Sequence, residues 1–554
     1  MEPLRSKGAA GDAAGHSCHG SDMEDVDLGS VDGIAEGAAT LRKAADGRRF
    51  VCVRRGDALH VLDDRCPHEG YPLSQGEVRD GVLTCCWHNW KFDLASGDCL
   101  FGGEPVRRYP AWVEAGRLRV DTRVDPERER ARLDTSMRAS LLDGSMGSVM
   151  RDALRLEALV GSLDPAIEIL ASDAARRAPW GFEHGLALIA EAAPWVDAAG
   201  FAALSAHVAE PLLHAPEREP ATARSGSAGD LLAALREERR TDAEAIARHL
   251  AQRPAGRASL YADALLPWLS EDLTDYGHGA IYAFEASQLV TRFPALAEDV
   301  IGALVVSLSW ATRDSALPGW TATHRGVREA EARGGAEADA AYVEEVLASE
   351  RRAVEGCLAR LRAGVDPRAL LRLSARAAAE RLRRFDASWE RRLDAPVTIL
   401  DVSHALTFAD AALALMPPPH LAARFAVQSA GFVGKLRAAD GDPPVAREGA
   451  DLDAALAARD PSAALGAIEA RDFYSVLRPF ALADAFVRPI FAAHAVKTTE
   501  ACQRLEAADP DARDLYRAAA VTLCVPRRPE RFFGRVAEVA GRFVETGKPP
   551  PGLY

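Results

Sequence analysis

Two short motifs, nineteen residues apart, constrain this chain more than anything else in it: Cys66-Pro67-His68 and Cys85-Cys86-Trp87-His88. As a pattern they read C-x-H, sixteen residues, then C-x-x-H. Each motif puts a thiolate and an imidazole on one loop. Together they offer two sulfur and two nitrogen donors, a set suited to a soft transition-metal centre. Either pair alone would read as a buried cysteine beside a turn histidine; both at this spacing do not. The first loop, Cys66 to Leu73, carries Pro67, Gly70 and Pro72, which stiffen a turn and let backbone amides approach sulfur. The second runs from Cys85 to Asp98 and is led in by the strand-like Val82-Leu83-Thr84.

The stretch from Arg65 to Leu100 closely resembles the Rieske ferredoxin and Rieske oxygenase family. The resemblance implies a [2Fe–2S] cluster with Cys66, His68, Cys85 and His88 as ligands. Both cysteines sit on one iron and both histidines on the other, with a potential of roughly −150 to +300 mV. Cys86 lies only two residues before His88, so Cys85 is assigned to iron and Cys86 is read as a small packed apolar side chain. Asn89 stands where the family usually has glycine. Respiratory members carry an extra loop disulfide; Tyr71 and Trp87 hold those positions here. The resemblance is therefore to the ferredoxin and oxygenase branch, at the lower end of the potential range.

The chain has 554 residues, enough for two to four domains. Its net charge of −14 argues against nonspecific nucleic-acid binding. The opening MEPLRSKGAAGDAAGHSCHG lacks the apolar stretch of a signal peptide, and no run of eighteen apolar residues occurs. The expectation is a cytoplasmic protein with no membrane partner. Nine cysteines, scattered, make no disulfide framework. Cys18 lies in a Gly/Ala-rich segment read as a disordered tail.

The expected fold class is a multidomain α+β protein: a small antiparallel β Rieske domain followed by a large all-α domain. Residues 1–22 read as the tail, 23–122 as the β domain, 123–135 as a charged linker and 136–554 as the helical domain. Arg49–Val53 and Ala58–Leu62 flank Arg54-Arg55-Gly56-Asp57 as a hairpin, and Arg117–Val120 reads as a closing strand. Beyond the linker, Ala369 to Arg384 and Phe480 to Leu505 show helical periodicity. Asp-Pro pairs at 164, 366, 460 and 509 suit helix starts.

The helical part lacks the closely spaced histidine pair of the usual Rieske oxygenase iron site; His207 and His214 are seven apart. Three histidines stand out instead. His278 lies in Gly277-His278-Gly279-Ala280-Ile281-Tyr282, His404 in His404-Ala405-Leu406-Thr407, and His494 in His494-Ala495-Val496-Lys497. Asp401 precedes His404 by one turn and is placed to orient it; Lys497 follows His494 by three. Three such helices can converge their imidazoles inside a bundle. The alternative is three core histidines on separate helices. These segments resemble the questin oxidase-like family, helical proteins associated with oxidative cleavage of polyketide-derived rings, although Tyr282 stands where a second histidine is expected. His278, His404, His494 and Lys497 are thus the candidate catalytic residues. His184 is a fourth candidate, otherwise read as a helix-end histidine.

The functional expectation is a Rieske oxidoreductase of monooxygenase type. The cluster takes electrons from a ferredoxin or flavin reductase, and the helical domain binds a small organic substrate and a second, mononuclear iron. The alternatives are an electron-transfer protein with a helical docking scaffold, and a redox sensor.

Overall fold

The computed structural model describes residues 25–212, 218–317, 319–392, 397–484, 488–527 and 545. The expected tail with Cys18 lies outside the described residues, as does His214. The chain divides into two compact units, Met1–Arg132 and Leu133–Tyr554.

The first unit is antiparallel β structure, as the sequence leads one to expect. Its strands are β1 (Asp25–Ser30), β2 (Thr40–Lys43), β3 (Arg49–Arg55), β4 (Ala58–Asp63), β5 (Glu77–Arg79), β6 (Val82–Thr84), β7 (Lys91–Asp93), β8 (Cys99–Phe101), β9 (Arg108–Tyr109), β10 (Ala111–Glu114) and β11 (Arg117–Asp121). They form three sheets, ordered β1-β11-β10, β2-β3-β4-β9 and β5-β6-β7-β8. The β3–β4 hairpin pairs Arg55 with Ala58 across its turn. Side chains of β3 alternate between two cores: Val51 and Val53 pack with Leu73, Leu83 and Phe92, while Phe50 and Cys52 pack with Leu118, Val120 and Tyr109.

The expected linker is corrected: most of it is helix, Pro126–Leu142. Asp125 accepts from the amides of Glu127 and Arg128, Pro126 fits the first turn, and Leu133, Met137 and Leu141 are buried. The charged run is the solvated start of an amphipathic helix.

The second unit is helical, with one continuous apolar core. Asp366 and Asp460 cap the helices Pro367–Arg383 and Pro461–Gly466 through their side chains, and Pro165 sits in the first turn of Asp164–Arg177. Asp509-Pro510 opens only a single 3-10 turn. The periodicity over Phe480 to Leu505 spans two helices, Phe473–Leu482 and Pro489–Ala508. Arg488 is extended and Pro489 starts the second, because proline pushes its predecessor out of the helical region. Four helices matter most here: His184–Ala192, His278–Arg292, Ile399–Ala414 and Pro489–Ala508. Each packs against two of the others, and the four close a ring.

Candidate functional site

The cluster-ligand loops are twins in backbone. The Cys66 amide donates to Tyr71 O and the Cys85 amide to Trp90 O, both at 2.8 Å. In return the Cys66 carbonyl accepts from Gly70 N at 2.8 Å and the Cys85 carbonyl from Asn89 N at 3.1 Å. Gly70 and Asn89 therefore hold equivalent positions, with φ of +80° and +61°. Asparagine tolerates the left-handed region better than other side-chain-bearing residues, which explains how it replaces glycine here. Its Oδ1 accepts from Lys91 Nζ at 3.0 Å.

Asp64 anchors the first loop. Its buried carboxylate takes Arg49 at 2.7 Å and the Ser74 amide at 2.6 Å. Cys66 and Cys85 are buried, His68 is half-buried and His88 exposed. The two imidazoles stand edge to face, centroids 4.5 Å apart, and His68 stacks on Trp90 at 4.8 Å. Tyr71 and Trp87 stack face to face at 4.1 Å, so an aromatic pair fills the positions of the respiratory disulfide.

These residues fit a [2Fe–2S] cluster. His68 Nδ1 is buried with no hydrogen-bond partner. Burial, with Cys85 beside it, pushes the Cys66 thiol up to about 12 although the His68 amide donates to its sulfur. Thiolates held there need cationic charge against them, which iron supplies. Cys86 corrects an expectation: it is exposed, because side chains alternate as β6 runs out into the loop and Cys85 takes the inward position.

In the helical unit His278, His404 and His494 do come together, and His184 joins them. The Nε2 atoms meet at 3.2 Å (His184–His278), 3.0 Å (His278–His404) and 3.1 Å (His184–His494), and the four ligand atoms all lie within 4.8 Å of one another. Nitrogens gathered this closely are a donor set that one metal ion could take.

The other ring nitrogens are mostly held. His278 Nδ1 donates to Asp275 O at 2.7 Å. Ser403 Oγ spends its proton on Leu400 O at 2.7 Å, so His494 Nδ1 donates to that oxygen at 3.2 Å. His278 and His494 therefore turn bare Nε2 lone pairs inward, the tautomer a metal needs. His184 Nδ1 meets Tyr282 OH at 3.3 Å. Tyr282, in the place of an expected second histidine, orients the fourth imidazole instead. His404 Nδ1 has no hydrogen-bond partner. Asp401 does not orient it; its carboxylate closes a capping box with Thr398 at the helix start.

Burial, then Lys497, holds His278 down to about 3, and burial holds His184, His404 and His494 well below their ordinary value. All four stay neutral and able to ligate at pH 7. Lys497 itself is buried with no hydrogen-bond partner, its Nζ 5.7 Å from the Tyr282 ring centroid. His278 enters its helix from a turn in which Asp275, Tyr276 and Gly277 have φ of +47°, +56° and +85°. A Cβ on Gly277 would lie 3.0 Å from the Phe408 ring. At the two non-glycine positions, Asp275 and Tyr276, such strain costs about 1–3 kcal/mol each and persists where packing over-determines it, typically at functional sites.

A cavity of about 180 Å³ borders His184, lined also by Glu183, Leu188, His207, Glu210 and Arg488. His207 is not part of the cluster; its Nε2 bonds Leu482 O at 3.0 Å. Cys357, Cys502 and Cys524 are buried core thiols. Sequence reasoning undervalued His184 because its flanks, Glu183 and Gly185, look like an ordinary helix start.

No helix among the described residues is long and apolar enough to cross a membrane. A family model, the Rieske [2Fe-2S] domain, matches residues 24–110. The anthranilate 1,2-dioxygenase ferredoxin subunit of Burkholderia cepacia is 35% identical over 97 residues, 17% of this chain and 88% of the relative. The 4beta-methylsterol monooxygenase of Methylococcus capsulatus is 60% identical over 71 residues, 11% of this chain but only 19% of the relative's length. Among solved structures, the ferredoxin of carbazole 1,9a-dioxygenase from Nocardioides aromaticivorans IC177 is 25% identical, covering 18% of this chain and 97% of its own, with a TM-score of 0.17. By its ligand loops, the family model and the ferredoxin subunit matched over most of its length, the chain belongs to the Rieske [2Fe–2S] family.

Proposed function

We propose that this chain is a monooxygenase-like oxidoreductase in which Cys66, His68, Cys85 and His88 would hold a [2Fe–2S] cluster that supplies single electrons, and His184, His278, His404 and His494 would hold a mononuclear iron that uses them. The observation that carries the reading is the convergence of four neutral imidazoles, with two tautomers set for ligation. Bound iron would supply dioxygen binding and reduction at that point. The chain's own residues do the rest. Ser403, Tyr282 and the Asp275 carbonyl fix the ring orientations. Lys497 places a buried amine beside the centre, where negative charge develops. The apolar helices exclude water.

The cavity at His184 is smaller than the roughly 300–1,000 Å³ of drug-sized pockets, which favours a small organic substrate. A ferredoxin or flavin reductase is the proposed electron donor, reaching the exposed His88 side. Kinship with the methylsterol monooxygenase supports the oxygenase reading.

A second reading is a pure electron carrier with a helical scaffold. It is favoured by the ferredoxin relatives, the Xanthobacter autotrophicus alkene monooxygenase ferredoxin component among them, 29% identical and matched over 91% of its length. Iron counting separates the two: the cluster alone gives two irons per chain, the added centre three. A His404→Ala protein is expected to keep the visible spectrum of the cluster and lose the third iron. A wild-type protein that never exceeds two irons overturns the oxygenase reading.

A further inference from the structure

Beneath the four histidines lies a second layer of ionisable groups. Glu191 follows His184 by seven residues and Glu285 follows His278 by seven. Asp410 follows His404 by six, and Lys497 and Arg504 follow His494 by three and ten. Seven residues make about two turns, so Glu191 and Glu285 share the face of their histidines, while Asp410 lies about a third of a turn round from His404. Glu191, Glu285, Asp410 and Lys497 are all buried. Most of the layer is tied: Arg504 bonds Glu191 at 2.7 and 2.8 Å and Asp410 at 2.7 and 2.9 Å.

Two groups are not tied. Glu285 Oε2 and Lys497 Nζ are buried without a hydrogen-bond partner, in residues that are each 1% exposed. An orphaned buried carboxyl oxygen is destabilising, so one kept two turns below a metal-ready cluster calls for a use. The groups facing Glu285 are Lys497 and Arg504 from one helix, and Glu191 and Asp410 from two others. Tyr282, one turn up its own helix, reaches His184. One turn before Arg504 on the same helix, buried Glu500 bonds Arg478 at 2.7 Å, and Arg478 lines an open surface cleft of about 450 Å³. Titratable groups thus run from solvent to the histidines along the helix Pro489–Ala508.

Reductive oxygen activation consumes protons as well as electrons: R–H + O₂ + 2e⁻ + 2H⁺ → R–OH + H₂O. The cluster, recharged by an external reductase, supplies the electrons. Nothing at the four imidazoles supplies protons, because they are neutral with their Nε2 atoms committed. We propose that Glu285 holds the proton that the four-histidine centre consumes and regains it from the Arg478 cleft by way of Glu500, Glu191 and Asp410. In the delivery step the Oε2–H bond breaks, its electron pair stays on Glu285, and the proton passes the Lys497–Tyr282 side to the oxygen being reduced. Recharging restores the O–H bond from solvent. Burial, partly offset by Lys497, pushes the Glu285 carboxyl up to about 8, so it keeps its proton and stays neutral at pH 7. This inference rests on the oxygenase reading above.

The test uses the full, iron-loaded chain, its cluster reduced by dithionite and then mixed with dissolved oxygen. Wild type is expected to reoxidise with a solvent deuterium isotope effect and a pH profile that falls through about pH 8. Glu285→Gln is expected to slow reoxidation about a hundredfold and to lose that pH dependence, with Glu285→Asp recovering part of the rate. Independently of turnover, the infrared spectrum at pH 7 should show protonated-carboxyl absorption from which Glu285→Gln removes one component, leaving that of Asp314. A Glu285→Gln protein with three irons and wild-type rate and isotope effect overturns the proposal alone, as does a wild-type-minus-variant infrared difference with no carboxyl component. A wild-type chain with only two irons overturns the oxygenase reading first, and this proposal with it.

Discussion

His184 and Tyr282, ninety-eight residues apart, share a hydrogen bond of 3.3 Å that joins the start of one helix to the second turn of another. It holds the Nδ1 side of the fourth imidazole while Nε2 meets His278 and His494. Tyr282→Phe removes the hydroxyl and keeps the ring that packs at 5.2 Å on Phe182. The expected result is an intact fold with metal affinity at the histidine centre lowered about 10- to 100-fold, measured by competition with a chromogenic chelator.

The Tyr71–Trp87 stack does mechanically what a loop disulfide does elsewhere, but without a covalent bond. Trp87→Ala should cost about 0.5–1.5 kcal/mol of local stability and hasten cluster loss to chelator several-fold. The decay of visible absorbance reads this directly. Protein-film voltammetry of wild type should place the midpoint in the lower part of the roughly −150 to +300 mV range.

At Asn89 the backbone, not the ligand set, decides what is allowed. Asn89→Gly should change the melting temperature little. Asn89→Val puts a β-branched side chain at φ +61° and should cost about 1–2 kcal/mol, seen as a lower Tm of the holo-protein.

Asp314 makes stability pH-dependent. Its amide bonds Leu273 O at 3.0 Å, pinning the turn that leads to His278. Burial first, then Asp272 and Asp275, push its carboxyl from 3.8 up to about 8. The folded state therefore holds a proton that the unfolded chain gives up, and stability falls as pH rises through that window. Asp314→Asn should match wild type near pH 4 and melt several degrees higher at pH 8.5, by calorimetry. Equal melting temperatures at pH 8.5 would refute the linkage.

The cluster was legible because its determinants are local. Ligand, turn proline and left-handed glycine fall within eight residues, and β6 feeds the second loop directly. The histidine centre was legible only in part. His278, His404 and His494 announced themselves by apolar context, but which helices adjoin is set by packing between segments a hundred residues apart, and no periodicity encodes that. His184 hid behind a helix-start sequence. Asp401 misled because an acid at that position serves the helix cap before it serves a side chain one turn on. The charged run after Asp125 looked like a connector because its apolar residues, Leu133, Met137 and Leu141, come late.

The burial of Cys66 and Cys85 against the exposure of His88 gives the first unit a single electrical terminal. The cysteine side is packed against Val51, Leu73, Leu83 and Phe92, so a cluster held there would exchange electrons through the histidine face. On the proposed reading, an external donor and the acceptor would take turns at that one face. The throughput of such a conductor is governed by how fast one partner vacates that face for the next, and tighter binding by either would slow the whole circuit.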